Sequence, residues 1–148
     1  MMIQKATELG IQKFIPILSE RSIVRDMNTK RIEKIIVESS EQSNRISIPK
    51  ILKPESLNIF LQNFPKEGKI IFCDINSNNS ELKNFVSKQN KKNPVCILIG
   101  PEGDFSEKER QSIIDIDQCF SLSIASNILR VETAAIAAIS VVNFYLDS

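Results

Sequence analysis

Val95-Cys96-Ile97-Leu98-Ile99-Gly100-Pro101-Glu102-Gly103 and Ser123-Ile124-Ala125-Ser126-Asn127-Ile128-Leu129-Arg130-Val131-Glu132-Thr133-Ala134-Ala135 decide the fold. In each stretch an apolar run ends in a turn of small, polar or proline residues, and a helical pattern follows at once. Strand, loop and helix therefore occur twice, the pattern of an open α/β sheet. In such sheets the loops beyond the carboxyl ends of the strands converge with unpaired backbone groups and bind small ligands there. Both loops are predicted to line one pocket.

The rest of the chain reads outward from these two units. The run 95–99 is unbroken in its apolar character, which predicts a strand buried on both faces. Before it, residues 69–73 read as a strand and 80–91 as a helix. After it, Ser106-Glu107-Lys108-Glu109 is a capping box, in which Ser106 and Glu109 each satisfy the other's free backbone N–H. Its helix is expected to run to about Ile116, with a strand over 119–122 and a closing helix over 131–146. Cys73, Cys96 and Cys119 recur every 23 residues, one in each predicted strand. That spacing fits successive strand-helix units and a parallel sheet, whose crossovers need a dozen residues or more.

Toward the amino end, residues 1–9 read as a helix stopped at Gly10. Residues 11–18 form a strand candidate, with Pro16 arguing for an edge or irregular position. Asn28 or Thr29 caps a helix to about Ser43, whose Ile32, Ile35 and Ile36 share one side. Pro54 is expected to open another helix, to about Phe64, with Leu57, Phe60 and Leu61 as its buried stripe.

Composition narrows the chemistry. A chain of 148 residues, 42% of them hydrophobic, supports one sizeable core, so a single domain over 1–148 is expected. No run approaches the length of a bilayer span and no secretory pattern opens the chain, so the expectation is a cytoplasmic protein with no membrane partner. Three cysteines without a CxxC pair indicate neither a disulfide framework nor a zinc site. Histidine is absent, which removes His-based acid-base catalysis and most transition-metal sites. Net charge is +1, yet residues 1–53 hold ten Lys/Arg against six Asp/Glu. The surplus is modest beside that of a strong nucleic-acid binder.

In the Gly100-Pro101-Glu102-Gly103 loop, the glycines permit close ligand approach and Pro101 stiffens the turn. The loop has neither the GxGxxG pattern nor a Gly-Lys-Ser/Thr ending, which argues against dinucleotide and P-loop readings. An acidic loop suits a ligand carrying hydroxyls or a positive charge, such as a ribose or a sulfonium.

Five motifs in order carry a resemblance: Gln4-Lys5-Ala6-Thr7-Glu8-Leu9-Gly10, Ser19-Glu20-Arg21-Ser22, Glu41-Gln42-Ser43-Asn44-Arg45, Ile99-Gly100-Pro101-Glu102-Gly103 and Ile128-Leu129-Arg130-Val131-Glu132-Thr133-Ala134. Together the chain resembles the ribosomal small-subunit RNA uridine N3-methyltransferases, a SPOUT-class family, over nearly its whole length. The resemblance implies an α/β fold with a parallel sheet flanked by helices and a C-terminal deep trefoil knot, a rare exception to un-knotted topology. It further implies S-adenosylmethionine as cofactor, a uridine of 16S ribosomal RNA as substrate, and a homodimer. Carried over residue by residue, Leu98, Gly100, Glu102 and Gly103 would line one side of the cofactor. Leu122, Ile124, Ala125, Asn127 and Leu129 would line the other, and Arg130 and Glu132 would face the methyl group and the uridine.

The chain departs from the family at Ile124-Ala125-Ser126-Asn127, where members usually carry Leu-Gly-Pro-Arg. Ala125 adds a methyl in the adenine pocket, and Asn127 removes a cation. Members also begin with a β-barrel RNA-binding domain, so 1–148 is expected to hold the catalytic domain without it. Uridine N3 is neutral at physiological pH, so its methylation requires a base or a stabiliser of the developing anion. Arg130 is the candidate stabiliser, Glu132 or Glu102 the proton acceptor, and Lys5, Arg21, Arg25 and Arg45 the candidates for RNA contact. The rival expectations are a SPOUT enzyme acting on a ribose hydroxyl, a folded but inactive cofactor-binding dimer, and an ordinary Rossmann-like nucleotide binder.

Overall fold

The computed structural model of the chain describes residues 1–21, 27–74, 92–101, 104–124 and 129–146. Its elements in chain order are α1 (Met2–Glu8), β1 (Lys13–Phe14), β2 (Ile17–Leu18), α2 (Thr29–Gln42), β3 (Lys50–Ile51), β4 (Glu55–Ser56), α3 (Leu57–Asn63), β5 (Lys69–Cys73), β6 (Val95–Leu98), α4 (Glu107–Ile114), β7 (Cys119–Leu122) and α5 (Val131–Leu146). The helix expected over 80–91 lies outside the described residues.

A three-stranded parallel sheet in the order β6-β5-β7 organises the molecule. Central β5 aligns Ile70 with both Cys96 and Cys119, and Phe72 with both Leu98 and Ser121. Because strand side chains alternate between faces, Ile70, Phe72, Leu98, Cys96 and Cys119 share one face. They pack with Leu57 and Phe60 of α3, Phe105, and Ile113 of α4. Ile71 and Leu122 lie on the other face, against Ala138 and Val142 of α5. Ile70 and Ile71 are completely buried, and each contributes about 1.5–3 kcal/mol by burial. The sheet is thus a layer between helices.

Helix α5 buries Ala135, Ala138, Ile139 and Val142, a stripe with helical spacing, of which Ala138 and Val142 belong to one cluster with Ile71 and Leu122. Asn143 Nδ2 donates to the Leu9 carbonyl at 2.7 Å, tying α5 to the end of α1. Helix α1 ends where Gly10 takes φ +97, a conformation that favours glycine. Helix α2 opens as its sequence predicts, with the Asn28 side chain accepting from Arg31 N.

Residues 11–18 are not one strand. Pro16 separates β1, which pairs with β3, from β2, which pairs with β4, both in parallel. The expected helix start at Pro54 is corrected: Glu55 N instead donates to the Pro16 carbonyl at 3.1 Å, and Ser56 caps α3 by accepting from Ile59 N. A serine able to cap and a strand partner at hand outweigh the preference of proline for the first helical turn. The expected full burial of residues 95–99 is also corrected. Only Leu98 of β6 is buried and the remainder is half-buried, because β6 stands at an edge of its sheet and borders a cavity. Helix α4 ends at Ile114, two residues short of expectation.

Candidate functional site

Parallel register brings the carboxyl ends of β5, β6 and β7 to one edge. There Asp74 N donates to the Leu122 carbonyl at 2.8 Å, extending the ladder by one residue. Leu98 and Leu122, the last residues of β6 and β7, are buried at this edge. Beyond them follow Gly100 and Pro101 on one side and Ser123 and Ile124 on the other, all half-buried. Glu102, Gly103, Ala125 and Asn127 lie outside the described residues, as does Arg25.

The loop after β6 is held firmly at its exit. Asp104 N donates to the Pro101 carbonyl at 2.8 Å, and Asp104, at φ 63, accepts from Phe105 N through Oδ1 at 2.8 Å. Asparagine and aspartate tolerate this conformation because the side chain bonds locally. Phe105 is buried and tilts against Phe72 with ring centroids 5.9 Å apart. A Cβ placed on Gly100 would stand 3.3 Å from Asp104 Oδ1 and from the Phe105 ring, so the turn closes on its own exit with no room to spare.

Helix α4 then begins with the capping box. Ser106 Oγ accepts from Glu109 N, and Glu109 Oε1 accepts from Ser106 N. The second carboxylate oxygen of Glu109 accepts from Glu20 N at 3.2 Å, which fixes the Ser19-Glu20-Arg21 segment to the helix that follows the glycine loop. One residue on, Arg110 Nη2 donates to Asp74 Oδ2 at 2.6 Å. The Asp74 side chain is only 7% exposed, so the pair is charge-assisted and largely desolvated. This hydrogen bond, reinforced by the charges of Asp74, Glu107 and Asp104, raises the Arg110 guanidinium above its ordinary value. Neither Asp74 nor Arg110 stands in any sequence motif read above. What the sequence offered was an acid directly after a strand and a base in the first turn of a helix, a common pairing with no marker of its own.

Leu129 is half-buried at the approach to α5 and Arg130 is exposed. The Arg130 carbonyl accepts from Ala134 N at 2.9 Å, closing the first turn of α5, with half-buried Glu132 in that turn. A carboxylate there is favoured by the helix dipole. Among the candidates for RNA contact, Arg21 is exposed and Lys5 pairs with Glu8 at 3.4 Å. Arg45 is half-buried, donating through Nη1 to the Thr7 and Ile11 carbonyls at 3.0 and 2.6 Å and through Nη2 to Ser47 Oγ at 3.4 Å. It joins α1, the segment between α1 and β1, and the turn after α2, a scaffolding role the sequence did not announce.

A cavity of about 780 Å³ follows the outer edge of β6. Ile99, Gly100, Pro101, Phe105 and Val131 border it at the loop end, and residues 10–17 form its far wall. Among the described residues no group of His, Cys, Asp or Glu is placed to hold a metal ion, and no helix is long and apolar enough to cross a membrane.

The model of the RNA methyltransferase domain family matches residues 1–143. The chain belongs to this family. Among its relatives as an RNA methyltransferase domain is the ribosomal RNA small subunit methyltransferase E of Rickettsia conorii, 34% identical over 140 residues, covering 93% of this chain and 56% of the relative. The protein of that name from Bacillus subtilis is 33% identical over 156 residues, covering 99% and 60%. The chain therefore spans somewhat over half the length of these relatives. The crystal structure of a ribosomal RNA small subunit methyltransferase E from Neisseria gonorrhoeae bound to S-adenosyl methionine superposes with a TM-score of 0.84 at 28% identity, over 97% of this chain and 59% of that one.

Proposed function

We propose that the chain is an S-adenosylmethionine-dependent methyltransferase domain acting on N3 of a uridine in 16S ribosomal RNA, as the sequence resemblance implied. The observation that carries the reading is the likeness to the cofactor-bound Neisseria gonorrhoeae enzyme over 97% of the chain, together with the convergence of three strand ends on one crevice. The donor set fits such a cofactor. Apolar Leu98, Leu122 and Leu129 suit the faces of an adenine, main-chain groups around Gly100 and Ile124 suit its edge, and the acids near the loop suit a sulfonium.

When bound, the cofactor supplies an activated methyl group, and the protein contributes alignment and proton handling. Arg130, exposed at the start of α5, places a guanidinium where the uridine carbonyl oxygens gain charge as N3 loses its proton. Glu132 or Glu102 accepts that proton. Gly100, Glu102, Gly103 and Leu98 line one wall of the pocket; Leu122, Ile124, Ala125, Asn127 and Leu129 line the other. Lys5, Arg21 and Arg25 contact RNA, while Arg45 orders the frame behind them.

Two further features belong to the same reading. The C-terminal part of the chain is tied in a deep trefoil knot, a reading in keeping with a strand order that takes the chain across β5 between β6 and β7. The protein acts as a homodimer, supported by Phe144, which is 71% exposed on α5 beside Tyr145.

The test is transfer of labelled methyl groups from S-adenosylmethionine to small ribosomal subunits, followed by nucleoside analysis. The expected product is N3-methyluridine, with kcat reduced about a hundredfold or more in Arg130→Ala, on the scale of losing one charge-stabilising donor. Ribose-methylated product would point to the other SPOUT chemistry, and cofactor binding without transfer to an inactive domain.

A further inference from the structure

Parallel pairing sets Lys13 directly beside Lys50. The register is fixed by two ladder bonds, Lys50 N to the Gln12 carbonyl at 3.1 Å and Leu52 N to the Phe14 carbonyl at 2.9 Å. Neighbouring strands lie about 4.8 Å apart, so the two side chains rise side by side from one face of the ladder. Both are exposed, and so is Lys53 three residues on. Among the described residues no acid lies within ion-pair distance of any of the three. Like charges side by side in a sheet destabilise it. Phe14 and Ile51, the next aligned pair, are apolar and half-buried, so the inward face supplies the reason for the ladder and the outward face works against it.

We infer that the exposed face of the β1–β3 ladder is a docking surface for the phosphodiester backbone of the RNA substrate, with Lys13 and Lys50 as its cations and exposed Lys53 just past its end. The inference rests on the proposed RNA methyltransferase function and adds a contact surface that begins at Lys13, on the far wall of the cavity beside β6, and continues outward to Lys50. Phosphates spaced along a strand neutralise adjacent ammonium groups at once, turning the repulsion of the free protein into affinity for a polyanion. Ile48 and Leu52 flank Lys50 at alternate positions and are 58% and 38% exposed, which gives the lysines an apolar border suited to ribose and base faces. Arg45 supports the surface from behind by holding the Ile11 carbonyl, two residues before Lys13.

The experiment is fluorescence anisotropy of a labelled single-stranded RNA across a salt series, with the unsubstituted protein, Lys13→Gln, Lys50→Gln and their double variant. Lys66→Gln, in the turn before β5, is the charge control. Each ladder substitution is expected to reduce the slope of log affinity against log salt by about one, as for loss of one phosphate contact. The double variant is expected to lose about tenfold or more in affinity near physiological salt, and the control to change neither. Thermal midpoints of the ladder variants should equal or exceed that of the parent. Equal losses in control and ladder variants, unchanged slopes, no RNA binding by the parent, or a fall in midpoint on removing either ladder charge would each overturn the inference. Titration of the parent, Lys50→Gln and Lys66→Gln with S-adenosylmethionine reads the methyltransferase function separately, since neither Lys50 nor Lys66 lines the cavity that Lys13 shares with Gly100 and Pro101.

Discussion

Cys73, Cys96 and Cys119 recur at equal intervals because each occupies a strand of one sheet, and their chemistry follows from that position. Burial pushes the Cys73 thiol up to about 12, the Cys96 thiol up to about 12 with a further push from Cys119, and the Cys119 thiol up to about 11 with a further push from Asp74. All three stay protonated near neutrality and are poor nucleophiles. An unfolded thiol ionises near 9 while the folded ones do not, so above that pH the unfolded state binds fewer protons and stability falls. Urea midpoints are expected to hold level up to about pH 9 as far as the thiols are concerned, then decline toward about pH 11–12, less steeply in Cys96→Ala. Rapid alkylation of the folded protein at neutral pH would contradict this assignment. Other single residues were less legible. Arg45 read as a candidate for RNA contact because a lone arginine in a polar motif carries no sign of its target, and only folding brings the Thr7 and Ile11 carbonyls within its reach. Asp74 and Arg110 stand 36 positions apart and met no pattern at all.

Elements whose signals are local were read well. The capping box at Ser106 and Glu109, the Asn28 cap and the closing helix carry their signals within a few neighbouring residues, and the structure has each of them. Elements that depend on distant partners were read poorly. Strands β3 and β4 are two residues each and exist because β1 and β2 lie beside them. The start of α3 was misplaced for that reason, and the burial of β6 was overestimated because an apolar run does not tell an edge strand from a central one. Helix α4 joins the two kinds of signal. Its capping box is local, yet Glu109 spends its other oxygen on Glu20 N, 89 positions away. Glu109→Ala is expected to cost about 2–3 kcal/mol in chemical denaturation, one part for the cap and one for the charged hydrogen bond. Ser106→Ala, which removes the cap alone, should cost about 1 kcal/mol. Equal losses in the two variants would mean that the Glu20 contact contributes nothing.

At the scale of the molecule, three strands pointing one way bring Asp74, the loop from Gly100 and the approach to α5 to a single edge, and the helices on both faces hold that edge rigid. The parallel sheet was legible because two strand-loop-helix units and an even cysteine spacing both fit it. The β6-β5-β7 order was not, since no pattern along the chain says which edge of β5 a later strand will join. What the edge is built to hold is the central claim, and calorimetric titration with S-adenosylmethionine tests it most directly. Saturable binding with one cofactor per chain is expected, and it should be lost in Gly100→Val, where a side chain meets Asp104 and Phe105 at the turn, while circular dichroism shows the variant still folded. No binding by the folded parent protein, or binding that the folded variant retains in full, would contradict the assignment of this crevice as the cofactor pocket.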